Sequence, residues 1–262
     1  MTEPTHAASA VLRFDEDTTK RLALIALATD LTSERDYARH LSGSGIETFV
    51  NRIAFTNPVT PESLSAMAPL LGEAASLILP GERLDAIAFS CTAASVLIGD
   101  DAVEAAIWSA GRKVPVITPP LAVRHALNEL GAQRISMLTP YSPAVSASFA
   151  GYFEDHGFDV DRLTALDIAD DTEMARLSLA SIIEAAVEAD APKSQALFIS
   201  CTALRSIEVV DAIEERIGKP VVTSNQAAIW AAARACGTAS APLSAGRLMR
   251  RHDRAANAHA GA

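Results

Sequence analysis

The chain has 262 residues, 49% of them hydrophobic and 21% charged, with 22 Lys+Arg against 32 Asp+Glu and a formal net charge of −10. That length supports one large domain or two lobes with their own cores, and the composition excludes a disordered, fibrous or disulfide-scaffold protein. The acidic balance argues against nucleic acid or an anionic membrane surface as main partner, and leaves any anion site to be built locally from backbone N–H groups and hydroxyls.

Along the chain, residues 1–20 read as a frayed start without the apolar core of a secretory signal. A first strand is predicted over 22–28 and a helix over 33–41, closed by Gly43 and Gly45. A second strand covers 46–55. Pro61 opens a helix through about residue 79. A buried strand over 84–89 leads into Cys91 and a helix through about 109. A short strand over 114–118 precedes a helix over 122–130, ended by Gly131. The second half repeats the alternation: strand 134–139, helix 144–156, strand 158–166, helix 172–189. A strand over 196–199 then leads into Cys201 and a helix through about 217. The last strand is 221–223 and the last helix 226–235. Residues 238–262 lose periodicity and are expected to be partly disordered, with Arg250-Arg251-His252 as a solvated tail.

Alternating strands and helices imply an α/β fold with parallel sheets covered by helices on both faces. The chain also repeats itself. Phe89-Ser90-Cys91-Thr92-Ala93-Ala94-Ser95 returns as Ile199-Ser200-Cys201-Thr202-Ala203-Leu204-Arg205-Ser206, and Lys113-Val114-Pro115-Val116-Ile117-Thr118 is answered by Lys219-Pro220-Val221-Val222-Thr223. Two pseudo-symmetric Rossmann-like lobes follow: residues 1–120 with 224–262 returning to them, and residues 121–223. Ligands of open parallel sheets bind beyond the carboxyl ends of strands, so facing lobes bring both Cys-Thr turns to one cleft. Each thiol is placed where a strand ends and a helix begins, a position that tends towards a lowered pKa.

Each residue also has a plainer reading. Free cysteines are often buried hydrophobes, but the repeated context favours function for Cys91 and Cys201. Cys236 reads as structural. Thr92 and Thr202 either cap helices or add donors to a carboxylate or oxyanion. Thr118 and Thr223 are strand-end residues in the plain reading, Asp30, Asp171 and Asn225 are helix caps, and Tyr141 is a packing residue or a loop donor. The six histidines show no metal-ligand spacing with one another or with a cysteine, so no metal is expected. Three unclustered cysteines and the lack of any apolar run of roughly 18–20 residues point to a soluble cytoplasmic protein.

Ser90-Cys91-Thr92, Thr139-Pro140-Tyr141, Phe198-Ile199-Ser200-Cys201-Thr202 and Pro220-Val221-Val222-Thr223-Ser224-Asn225 together resemble the aspartate/glutamate racemase superfamily. The resemblance spans roughly residues 20–237 and lies in the branch of maleate cis–trans isomerase and arylmalonate decarboxylase. It implies a cofactor-independent enzyme, commonly a homodimer or homotetramer, with Cys91 and Cys201 as the reacting pair. Tyr141 would donate to a substrate carboxylate, and Asp30, Thr92, Thr118, Asp171, Thr202 and Asn225 would complete the binding site. Asp30 and Asp171 stand where maleate isomerases carry asparagines. That departure suits a substrate with an amino group and resembles the branch found with ectoine-utilisation genes, whose substrates are diaminobutyrate-like.

Three functions follow from the resemblance: an isomerase or racemase of a small amino or dicarboxylic acid, a decarboxylase on the same fold, or a non-catalytic ligand-binding relative. In the first, opposed thiols shuttle an α-proton between faces, or Cys91 adds to an alkene while Cys201 assists elimination.

Overall fold

A computed structural model describes residues 13–238 and 245–250. The first half runs β1 (Lys20–Leu27), α1 (Ser33–His40), β2 (Ile46–Ile53), α2 (Pro61–Ser65), α3 (Leu71–Leu77), β3 (Ala86–Phe89), α4 (Thr92–Ile98), α5 (Asp100–Trp108), β4 (Val116–Ile117) and α6 (Pro119–Leu130). The second runs β5 (Arg134–Thr139), α7 (Pro143–Asp155), β6 (Asp159–Ala165), α8 (Asp171–Met174), α9 (Leu179–Ala189), β7 (Ala196–Ile199), α10 (Val210–Ile217), β8 (Val221–Thr223) and α11 (Ser224–Ala235). Two four-stranded sheets result, ordered β2-β1-β3-β4 and β6-β5-β7-β8, and every pairing is parallel.

The two orders are the same topology written twice. In each sheet the chain moves outward from its first strand and then crosses to that strand's other side. The reversal point falls between β1 and β3, and between β5 and β7. Side chains just beyond the carboxyl ends of those four strands therefore border a crevice in each lobe. The inner stretches of the central strands are apolar because helices cover both faces: Leu22 to Ala26, Ala86 to Phe89 and Ala196 to Ile199 are all buried. Helix α11 packs against α6 and also reaches α1, β3 and β4.

Four predicted helices are shorter than expected. The one over 61–79 breaks after Ser65 and resumes as a 3-10 turn and α3, because Pro69 has no N–H to continue the ladder. The one over 92–109 splits at Gly99, whose φ of +90° no right-handed helix accommodates. The one over 172–189 stops at Met174 and restarts at Leu179, where the Ser178 hydroxyl accepts the Ser181 N–H at 3.0 Å. After Cys201, no α-helix begins until Val210.

Most of the segment expected to be disordered lies outside the described residues. The helical stretch over 246–250 is nevertheless docked: Leu248 and Met249 are buried, and the Gln226 side chain donates to the Ala245 carbonyl at 2.6 Å. Arg250 is no free tail, since its guanidinium meets Glu214 at 3.1 Å and also pairs with Asp211. Arg251, His252 and residues 1–12 lie outside the described residues.

Candidate active site

Cys91 follows β3 and Cys201 follows β7, the equivalent strand ends of the two lobes. Both thiols line one small cavity with Asp30, Tyr141, Asp171, Met174, Thr202 and Ala203. Leu27, Phe55, Val59, Leu64 and Ala93 complete its wall, and among the described residues no Lys, Arg or His lines it. The cavity holds about 30 Å³, room for roughly one or two waters. A substrate of several heavy atoms must therefore displace part of the wall to enter.

Burial dominates the thiols. It pushes Cys91 up to about 12 and Cys201 to about 11. The Ala94 N–H opposes the rise at Cys91, while Cys201, Asp171 and Asp30 add to it. At Cys201 the Tyr141 hydroxyl and the N–H groups of Ala203 and Leu204 oppose it. The expectation of lowered thiol pKa values fails here because the apolar wall outweighs the N–H donors.

The two turns differ in backbone. Cys91 is the N-cap of α4 with an extended φ of −149°. Cys201 has φ +92°, a conformation that costs a non-glycine residue about 1–3 kcal/mol and persists only where surrounding contacts enforce it. No α-helix starts beside it, so the predicted helix N-terminus is replaced by a tight turn in which the Ala203 N–H points at the Cys201 Sγ, 3.3 Å away. The Met174 sulfur sits 3.7 Å from the same Sγ.

Both aspartates reach the cavity wall, held in different ways. Asp30 Oδ1 accepts the N–H groups of Thr32 and Ser33 at 2.8 Å each, and its Oδ2 accepts the Ser33 hydroxyl at 2.6 Å. Burial raises its pKa against those bonds. Asp171 is gripped from the other lobe: Oδ1 accepts the Asn57 amide at 2.8 Å, and Oδ2 accepts the Thr29 hydroxyl. The Asp171 N–H returns a bond to Asn57 Oδ1 at 3.2 Å, and the Val59 N–H donates to the Ala169 carbonyl at 2.8 Å. The segment between β2 and α2 is thereby laced to the loop before α8. Tyr141 is buried, stacked on Phe149 at 5.3 Å between ring centres, and burial holds its hydroxyl protonated well above the usual range.

Three expected binding residues do not line the cavity. Thr118 donates to Asp100, which also accepts from Tyr152, in a cluster off the site. Asn225 spends its amide on Asp36 Oδ2 at 2.8 Å and the Thr202 carbonyl at 3.0 Å. Thr92 donates to the Ser224 hydroxyl at 2.9 Å. Their positions at strand ends suggested ligand contact, but each faces a neighbouring element. Thr202 lines the wall, and its own hydroxyl donates to the Ser90 carbonyl at 3.2 Å. Sequence reading missed Asn57, Met174 and Ser224. Asn57 carried no signal in its loop, whereas Ser224 stands one residue before Asn225 in a quoted motif.

Two doubly wound parallel-sheet lobes bordering one shared cavity are the architecture of the aspartate/glutamate racemase-like superfamily. Residues 59–249 match the family model described as arylmalonate decarboxylase, and the chain belongs to that family. It is 27% identical to a maleate isomerase of Nocardia farcinica over 242 residues, 88% of this chain and 96% of the relative. It is 32% identical to an arylmalonate decarboxylase of Bordetella bronchiseptica over 139 residues, 52% of this chain and 58% of that one. A solved structure of the Nocardia farcinica maleate cis–trans isomerase, with a covalently bound succinylcysteine intermediate, superposes with a TM-score of 0.82 at 25% identity, covering 89% of this chain and 99% of that one.

Proposed function

We propose that the protein is a cofactor-independent isomerase that moves the α-proton of a small amino acid between faces, with Cys91 and Cys201 as alternating base and acid. One observation carries the reading: the cavity wall holds two thiols and two carboxylates and, among the described residues, no basic side chain. A dicarboxylate entering such a wall meets only like charge. An ammonium group entering it neutralises Asp30 or Asp171 and, as a nearby cation, lowers the thiol pKa values that burial raises. One thiolate then takes the α-proton, leaving an enediolate-like carbanion. The opposite thiol returns its own proton to the other face, and the two sulfurs have exchanged protonation states. The Tyr141 hydroxyl on the cavity wall donates to the substrate carboxylate where negative charge develops.

Two carboxylates, one from each lobe, also fit a substrate with two amino groups. That agrees with the resemblance to ectoine-utilisation proteins and their diaminobutyrate-like acids. The likeness to arylmalonate decarboxylase keeps a lyase as the second reading, although a decarboxylase needs only one proton donor.

Incubating amino acids, diamino acids and dicarboxylates in D₂O tests both. Deuterium uptake at Cα with loss of optical activity, absent in Cys91→Ala and in Cys201→Ala, is expected for amino or diamino acids. Conversion of maleate without exchange of any amino acid overturns the substrate class, and CO₂ release retained in Cys91→Ala overturns the two-thiol mechanism.

A further inference from the structure

Ser224 is fully buried at the first position of α11, outside the cavity wall. Its Oγ accepts two hydrogen bonds, one from each cysteine turn. The Cys201 N–H donates from 3.1 Å and the Thr92 hydroxyl from 2.9 Å. Thr92 immediately follows Cys91, so one oxygen atom joins the backbone of one reacting thiol to the turn of the other. The neighbouring side chain completes the clamp, since Asn225 holds the Thr202 carbonyl at 3.0 Å. Thr202 in turn bonds the Ser90 carbonyl at 3.2 Å, just before Cys91. Cys201 is the residue whose φ of +92° needs such enforcement, and its N–H has Ser224 Oγ as its acceptor.

We propose that Ser224 is a positioning residue: its hydroxyl locks the Cys201 turn in its strained conformation and registers it against the turn of Cys91. The inference rests on Cys201 being a reacting thiol, but its test needs no substrate. Without the Ser224 oxygen, the Cys201 N–H is buried without an acceptor and the turn relaxes. Without the Thr92 hydroxyl, Ser224 loses the donor that orients its lone pairs. Thr92 would then affect Cys201 from the other lobe through one intervening atom.

The experiment is iodoacetamide alkylation of the native full-length protein, followed by mass spectrometry at each cysteine across pH. Cys236, buried at the end of α11, serves as internal reference. Ser224→Ala is expected to raise the Cys201 rate about tenfold, the effect of losing one buried hydrogen bond, with Cys236 unchanged. Thr92→Val should raise Cys201 in the same direction, Thr92→Ser should restore the wild-type profile, and Ser224→Ala/Thr92→Val should exceed Ser224→Ala by less than about twofold, as expected for coupled sites. Cys201 rates within about twofold of wild type in Ser224→Ala and Thr92→Val overturn the proposal. So does an equal rise at Cys201 and Cys236, which marks general loosening. If Ser224→Ala does not fold, the Thr92→Val and Thr92→Ser pair decides alone. A positive result with no substrate found leaves the positioning role standing while removing the proposed reaction.

Discussion

The two Ser-Cys-Thr-Ala segments are nearly identical in sequence and unlike in conformation. The first enters a regular α-helix from an extended cysteine, while the second turns through φ +92° and forms no α-helix for eight residues beyond it. Sequence repetition preserved the chemistry of the side chain and the strand that presents it, but not the local backbone. The consequence is electrostatic. Burial pushes Cys91 up to about 12 against the Ala94 N–H, and Cys201 up to about 11 against the Tyr141 hydroxyl and two N–H groups. The lobes are pseudo-equivalent in fold, and their thiols are not equivalent in ease of ionisation.

The largest expected effect tests whether both turns are nevertheless needed. Cys91→Ala and Cys201→Ala should each reduce α-proton exchange by at least about a hundredfold, the span ascribed to one positioned acid or base. If one variant keeps most of the exchange, the two-sided mechanism breaks and the protein uses one thiol. Next come the carboxylates. Asp171→Asn should raise KM for an amino-acid substrate roughly tenfold to a hundredfold, the worth of a buried charge-assisted hydrogen bond, with a smaller effect on kcat. The amide introduced by Asp171→Asn still has a carbonyl oxygen for the Asn57 side chain, so the laced loops should survive, and unchanged thermal stability would separate binding from folding.

A third measurement sharpens the difference between the thiols directly. At any pH below both pKa values, Cys201 should carry the larger thiolate fraction of the two, and both alkylation rates should climb with pH through the alkaline range. Site-resolved alkylation between neutrality and about pH 10 checks the ratio. A ratio inverted in favour of Cys91 would mean that its helix N-terminus outweighs the contacts around Cys201.

Much of this was legible in the residues alone. The parallel sheets were written in continuous apolar runs such as those ending at Phe89 and Ile199, which only two-sided burial explains. The shared cavity followed from repetition, since equivalent strand ends meet when equivalent lobes face each other. What could not be read was conformation decided by neighbours. The φ of Cys201 is enforced by Ser224 and Asn225, which lie more than twenty residues away. Thr118 and Asn225 carried correct residue types at correct strand ends, yet Asp100 and Asp36 claim their side chains. The thiol pKa values went the other way because the apolar wall of Phe55, Val59 and Leu64 comes from a segment with no recognisable motif.

The smallest expected effect separates the two aspartates by how each is held. Asp30 is satisfied wholly by its own loop, and burial lifts its pKa in the folded protein. A carboxyl whose folded pKa is raised contributes stability at low pH, and that contribution is lost as pH rises through the folded value. Asp30→Asn keeps an acceptor for the Thr32 and Ser33 N–H groups and a donor for the Ser33 hydroxyl, which can pass its own hydrogen to Ser90, 2.7 Å away. The variant should therefore match wild type in acid and gain thermal stability relative to it towards neutral pH, by a few degrees at most for a chain of this size. A Tm difference that stays flat with pH would mean that the carboxylate is already ionised at no cost. Asp30 would then stay charged near neutral pH without a substrate cation, its burial offset by the Thr32 and Ser33 donors alone.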